Sequence, residues 1–463
     1  MHLRITCALI AGALALASCE AQRPEPIGDQ GTGGTGGGGD GGTGGGSSWT
    51  FATVDGAADT GHQAELRIAP GSGLAAAWYR NTGRQGTCQL PDRDPAPTDV
   101  WEVVYGEEQG GTFATEVVAE VELVGRPTGL SLSFDGSGAP MVAYMGGQPA
   151  QYRCGGTDSM LSTRGGGSWS HATIDADGAV PGMIFEEDVD FCADYQDACN
   201  KGDVVGLWPA LGMADGSPIL AYRDIHFGFG VDAEEKADLQ LWWRGSRVTA
   251  EATSGGGQFT RLAVDGAGGV HLAHYNEHKL SSAIPNVSTE GIWMLHFEDG
   301  GWTREKVVPT TPVGETLALA ASAGTVGLAW HEPKAGVVRY AERNDATWSA
   351  PQVVDNRGLT GLSPSLAFDA GGRPALAYRR CGPAGQSGSD CTAADDALRF
   401  AVRTAGVWKT STVRNDEGRQ EGLATSLAFD GEGRPAILFQ ESFFDAQEGV
   451  VLRRLVLARG DVP

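Results

Sequence analysis

One pattern returns along most of the chain and constrains its fold more than any other feature. An alternating apolar strand leads into a tight turn with Asp and Gly, and a second apolar strand follows and ends in an aromatic ring. The clearest copies run from Ser131 through Asp135, Gly138 and Pro140 to Tyr144, and from Ser365 through Asp369, Gly372 and Pro374 to Tyr378. A third runs from Ser426 through Asp430, Gly433 and Pro435 to Phe439, and weaker copies end at Tyr79, Tyr222, His274 and Trp330. In a short hairpin that opens with a type I turn, Asp bonds the backbone ahead and Gly takes the left-handed position. The Asp is therefore read as structural. A row of cation-binding carboxylates fits less well, because Pro70 replaces it in the first copy and Ala321 to Gly324 carries none.

After each aromatic column comes a connection of variable length and a third strand, such as Ala397 to Arg403. A Gly-rich turn then leads to a fourth strand opening with tryptophan, as at Trp169 to Ile174, Trp302 to Val308, Trp348 to Val354 and Trp408 to Val413. A meander of four antiparallel strands cannot bury both faces alone, and radial stacking of copies solves this. The expected fold class is all-β: a seven-bladed β-propeller of four-stranded antiparallel blades over residues 48–463. The heavily inserted repeat from Asp175 to Gly257 leaves six or eight blades open. The last repeat ends near Ala458 without a tryptophan strand, while Trp49 to Asp55 reads as a fourth strand with nothing before it. The N-terminal strand is therefore expected to complete the last blade and remove an exposed sheet edge.

Residues 1–18 read as a signal peptide, with charge at His2 and Arg4 and an apolar run from Ile5 to Ala17 too short to span a bilayer. The run closes on Leu16, Ala17, Ser18 and Cys19, which resembles the bacterial lipoprotein lipobox. That resemblance implies cleavage before Cys19, lipidation of its thiol and loss of Cys7. Glu20, where an inner-membrane retention signal would place Asp, favours the outer membrane or cell surface. An ordinary secretory signal that happens to contain a cysteine is the alternative. Residues 19–47 are expected to form a tether, nearly all Gly, Thr, Asp and Ser after Gln30, with too little apolar surface to offset its ordering entropy.

The formal charge of -24 makes nucleic acid a poor partner. All six cysteines of the repeat region fall in or beside long connections, and an exported chain suits disulfides. Local closure pairs Cys192 with Cys199 and Cys381 with Cys391, leaving Cys88 and Cys154 in corresponding connections of consecutive repeats. A thiolate metal site is disfavoured, as no CxxC pair occurs. The acidic run Glu186 to Asp197 could hold calcium, but it lacks the EF-hand spacing and glycine and is read as a solvated loop. His271, His274, His278 and His296 suggest zinc at first sight. Strand alternation sends His271 and His274 to opposite faces, and His274 stands in the aromatic column, so packing is the expected role. The recurring tryptophans are likewise read as blade packing rather than a carbohydrate platform. No metal or cofactor is assigned.

The Asp-and-Gly turn and the meander resemble the BNR and sialidase-type propeller repeats over nearly everything after Ser48. The sialidase Asp-box lies between strands three and four and wants Ser or Thr and Trp after its glycine. Here the motif precedes Pro and lies between strands one and two. That family's arginine triad and nucleophilic tyrosine match no positions of this chain, so no catalytic residue is assigned. The long segments 80–99, 145–159, 175–204, 224–237, 276–290 and 381–396 all lie at one end of the strands, and elaborated loops on a rigid scaffold are where binding usually resides. The expected function is a membrane-tethered lipoprotein whose looped face binds a protein or glycan. The alternatives are a glycan-processing hydrolase using carboxylates such as Glu332 or Glu441, and a structural envelope protein.

Overall fold

The computed structural model describes residues 48–461 apart from 72, 89–94, 148–156, 177–183, 186–203, 226–236, 253–254, 277–289, 310–313, 345, 383–395 and 417. Among these the chain is all strand and turn, with no helix, and no segment is a helix long and apolar enough to cross a membrane.

Strand β1 (Trp49–Asp55) stands first. The meanders follow as β2 (Thr60–Ile68), β3 (Leu74–Cys88), β4 (Ala96–Gln109) and β5 (Thr112–Leu123); then β6 (Leu130–Phe134), β7 (Pro140–Gly147), β8 (Thr157–Gly165) and β9 (Ser168–Asp175). Next come β10 (Val204–Ala214), β11 (Ser217–Ile225), β12 (Ala237–Trp243) and β13 (Ser246–Glu251), then β14 (Gln258–Val264), β15 (Val270–Asn276), β16 (Gly291–Glu298) and β17 (Gly301–Pro309). The next contains β18 (Gly314–Ser322), β19 (Thr325–Glu332), β20 (Val337–Asn344), β21 (Thr347–Trp348) and β22 (Gln352–Asp355). The last two are β23 (Leu359–Phe368), β24 (Pro374–Cys381), β25 (Ala397–Thr404) and β26 (Val407–Arg414), and β27 (Arg419–Phe429), β28 (Pro435–Asp445) and β29 (Val450–Gly460).

This is a β-propeller of four-stranded antiparallel blades. Its hydrogen bonding departs from seven separate sheets of four: there are four four-stranded sheets, one of five strands and one of eight. The eight-stranded sheet arises because β10 starts beside β8, making a single parallel bridge between Val204 and Thr157, and Thr157 Oγ1 donates to the Val205 carbonyl at 2.8 Å. The fifth strand in the other case is a break in the expected Trp348–Val354 strand. Pro351 has no N–H to give the ladder, so the strand splits into β21 and β22. The N-terminal strand pairs with β29 from Trp49 opposite Gly460 to Asp55 opposite Leu455.

The core lies between sheets. Each of the larger apolar clusters takes residues from two consecutive meanders: Tyr79 and Trp101 join Leu132 and Tyr144, and Phe400 and Ala377 join Phe439 and Val456. The last meander packs on the first through Leu438 and Leu457 against Leu66 and Trp78. Burying one such side chain contributes roughly 1.5–3 kcal/mol, which explains why an isolated meander would not persist. The recurring serine of the first strand has a role across the joint: its hydroxyl accepts a backbone N–H from the next inner strand. Ser131 takes Leu211 at 3.0 Å, Ser365 takes Leu427 at 2.6 Å, and Ser426 takes Leu66 at 2.9 Å, which sews the C-terminal meander to the first one.

The tryptophans opening the outer strands pack edge-on against a ring of the preceding meander: Trp169 on Tyr105, Trp302 on Trp243, Trp408 on Tyr340, and Trp49 on Phe400. The Asp of the short turns is structural as expected. Asp135, Asp265, Asp369 and Asp430 each accept two backbone N–H groups ahead through one carboxylate oxygen, with Gly138, Gly268, Gly372 and Gly433 left-handed.

Candidate binding mouth on the loop-bearing face

Because neighbouring strands are antiparallel, the connections from second to third strands and from outer to inner strands leave at one end of the sheets. The long ones, between β3 and β4, β7 and β8, β9 and β10, β11 and β12, β15 and β16, and β24 and β25, all belong to this set. All connections between first and second strands are short.

The inner strands begin with a device that reading the sequence alone overlooked. Five of them carry a left-handed glycine followed two residues later by a non-glycine residue with positive φ: Gly61 and Gln63, Gly206 and Trp208, Gly257 and Phe259, Gly361 and Ser363, Gly422 and Ala424. The pairing register slips at these points, as between Thr360 and Leu362 and between Leu362 and Ser365. The glycine abuts the preceding meander, and a Cβ on Gly361 would lie 2.5 Å from Val338 Cβ. The residue before the glycine is thereby buried at the joint. In two joints it is a threonine: Thr60 Oγ1 donates to Asp55 Oδ2 at 2.7 Å, and Thr360 Oγ1 to the Asp355 carbonyl at 2.7 Å. Asp55 and Asp355 end outer strands, and Asp175, which ends β9, accepts from Tyr222 at 2.8 Å.

The joint between the β23–β26 and β27–β29 meanders breaks this rule. Arg414 ends the outer strand where three other joints place Asp, and Glu421 stands where two of them place Thr. Glu421 is 0% exposed, and neither carboxylate oxygen has a hydrogen-bond partner among the described residues. Arg414 Nε is 3.4 Å from Glu421 Oε1, and Arg414 Nη1 is 3.2 Å from Glu441 Oε2, which Arg419 Nη1 also reaches at 2.9 Å. Burial pushes the Glu421 carboxyl up to about 7; Arg414 opposes the shift, and Glu441 and Asp416 add to it. Asp396 accepts the Glu421 N–H at 3.2 Å and holds Arg379 bidentately at 3.0 and 2.6 Å, with burial raising its carboxyl too. At the rim the Phe443 ring lies between Arg419 and Arg454, at 4.3 and 4.8 Å, and Phe444 beside it is 59% exposed. With Glu421 and Glu441 buried, what this joint offers a polar ligand at the surface is the part-exposed Arg419 guanidinium and the Phe443–Phe444 edge, which can donate and stack, backed by the buried carboxyls that hold Arg414 and Arg419.

The two carboxylates singled out in the sequence are not brought together. Glu441 belongs to this cluster, whereas Glu332 pairs with Arg339 at 2.5 Å in another sheet. The histidine reading holds in part: His274 is buried in the column, accepts the Gly257 N–H on Nδ1 at 3.1 Å, and is pushed down to about 3 by burial. His271 and His296, however, are cross-strand partners in contact. Cys88 and Cys381 end β3 and β24 at the loop-bearing side, and Cys381 is buried. Cys19, Cys154, Cys192, Cys199, Cys391, His278 and the acidic run 186–197 lie outside the described residues.

No known protein family and no curated protein sequence matches the chain. Among solved structures it is similar to AofleA from Arthrobotrys oligospora (11% identity, 80% of this chain and 90% of that one, TM-score 0.40). It is also similar to the NanB sialidase from Streptococcus pneumoniae (10% identity, 89% and 69%, TM-score 0.43) and to an alpha-L-arabinanase from Penicillium chrysogenum (13% identity, 88% and 98%, TM-score 0.40). At these identities and scores the likeness assigns no activity.

Proposed function

We propose that the chain is an exported lipoprotein, anchored through Cys19 to the outer membrane or cell surface, whose propeller binds a glycan on its loop-bearing face. The observation that carries this reading is the cluster of Glu421, Glu441, Arg414 and Arg419 under the Phe443–Phe444 rim, where three other joints have plain Asp–Thr or Asp–Tyr latches. In this reading the eight-stranded sheet is two blades, β6–β9 and β10–β13, and the propeller has seven. Disulfides Cys192–Cys199, Cys381–Cys391 and Cys88–Cys154 brace the loops. A glycan array with the intact chain tests the binding. Bound glycans that are lost on Phe444→Ala and Arg419→Ala support it, and an array blank for the wild type refutes it, leaving a protein partner or a structural envelope role. Globomycin-sensitive processing and loss of membrane association in Cys19→Ala test the anchor.

A second reading, a glycan-processing hydrolase, draws on the proton that Glu421 keeps close to neutral pH beside a second carboxylate, and it requires the joint to open, since Glu421 is 0% exposed. Hydrolysis of aryl glycosides that disappears in Glu421→Gln would establish it.

A further inference from the structure

At the opposite end of the sheets, away from the proposed mouth, β15 and β16 carry an arrangement that blade packing does not call for. His271 on β15 faces its cross-strand partner His296 on β16, and both are buried, at 0% and 1% exposure. The equivalent pairs elsewhere are Met141 with Thr163, Ala375 with Val402 and Ala436 with Arg459. His271 Nε2 lies 3.1 Å from Asp265 Oδ2, and His296 Nε2 lies 3.1 Å from Glu305 Oε1. A carboxylate only accepts, so each Nε2 carries its proton and donates it. With both rings neutral, that leaves each Nδ1 as a bare lone pair. The two Nδ1 atoms lie 2.8 Å apart. Two lone pairs facing each other in a buried site repel unless a cation stands between or beside them.

The surroundings suit a metal ion. A carboxylate on the far nitrogen of each imidazole is the outer-shell pattern of metal-binding histidine, fixing the ring and raising its basicity. The carboxylate of Glu298, last residue of β16, puts an oxygen within 4.8 Å of a ring nitrogen of each histidine. Arg343 already holds Glu298, at 2.8 and 3.0 Å, but a carboxylate offers about four lone-pair sites and can serve both. Asp265, Glu298 and Glu305 against Arg343 leave two negative charges around two neutral rings, which a divalent ion balances. The Glu298 and Glu305 side chains are each 39% exposed, so the site opens to solvent on their side.

We propose that His271 Nδ1, His296 Nδ1 and a Glu298 oxygen form a binding site for a divalent transition-metal ion of the zinc type, with Asp265 and Glu305 as the carboxylates that orient the rings. Metal–nitrogen bonds of about 2.0–2.1 Å at a tetrahedral angle need the two Nδ1 atoms about 3.3 Å apart, an opening of about half an ångström by ring rotation. The ion would bridge β15 and β16 and leave a fourth position for water.

The test titrates Zn2+ into the metal-stripped full chain, follows stoichiometry by elemental analysis, and repeats the titration with Co2+, whose visible absorption reports nitrogen and oxygen ligands. One equivalent is expected in the wild type, with the visible band lost in His271→Gln and His296→Gln. Glu305→Gln, which touches no metal, is expected to weaken binding roughly 10- to 100-fold. Glu298→Gln replaces a part-exposed residue and guards against misfolding of the buried histidine variants; it should lose affinity with an unchanged circular dichroism spectrum. Failure of the wild type to take up Zn2+, or uptake undiminished in both Glu298→Gln and His296→Gln, overturns the proposal; in the first case a shared proton between the rings is what relieves the lone pairs.

Discussion

Replacing Glu421 by Gln probes the joint between the last two meanders through the pH dependence of stability. The folded carboxyl titrates at about 7 and the unfolded one near 4.5. The folded state therefore binds the proton more tightly. This contribution favours folding fully below the unfolded value and is lost as pH rises through 7, the reverse of an ion-paired carboxylate. At 1.36 kcal/mol per pKa unit, the wild type gains about 2.5 kcal/mol from this group between pH 8.5 and pH 5. Glutamine does not ionise, so Glu421→Gln forgoes that gain, and whatever its amide costs is the same at both pH values. His274, pushed down to about 3, works in the opposite direction, losing stability as pH falls below 6.5, but it is common to both proteins and cancels in the difference. Urea unfolding at both pH values, extrapolated to water, measures the difference. The variant should be more stable relative to wild type at pH 8.5 than at pH 5 by about 2.5 kcal/mol. Parallel pH profiles would refute the assignment of a buried, proton-holding carboxyl.

Three further expectations follow from the joints. Deleting Ser48 to Asp55 removes the partner of β29, the Trp49–Phe400 contact and the acceptor of Thr60 and Trp78 at once, and should abolish cooperative unfolding; an unchanged melting temperature refutes closure through β1. Gly361→Ala places a Cβ at φ +88 against Val338 and should destabilise by about 2–4 kcal/mol in urea titration, from left-handed strain plus overpacking. Ser426→Ala leaves the buried Leu66 N–H without its acceptor and should cost about 1–3 kcal/mol, with accelerated amide exchange at Leu66 as the site-specific readout.

What was legible in the sequence was local or repeated. The Asp turn needs only residues two and four positions ahead, so its chemistry stands in the sequence itself, and the tryptophans announced themselves by recurrence. The closing strand was legible because one end lacked what the other had in surplus. The separate-sheet count was not, since the bridge from Val204 to Thr157 depends on where two distant strands begin. Glu421 was missed because its burial comes from slips in register against the preceding meander. Its signal was nonetheless present in Thr60-Gly61, Val205-Gly206, Thr360-Gly361 and Glu421-Gly422, a second repeat whose one charged member stands out once the copies are aligned. The four histidines looked like one cluster in sequence. Pleat and pairing divide the three described ones, setting His274 in the column and joining His271 to His296.

The pairing of β1 with β29 also dictates a temporal order. Among the described residues the one ladder partner of β1 is β29, so β1 can take its place only after all the meanders between them have been made. Such long-range closure is slow to form, so the step that seats β1 on β29 should come late in folding and should set its rate.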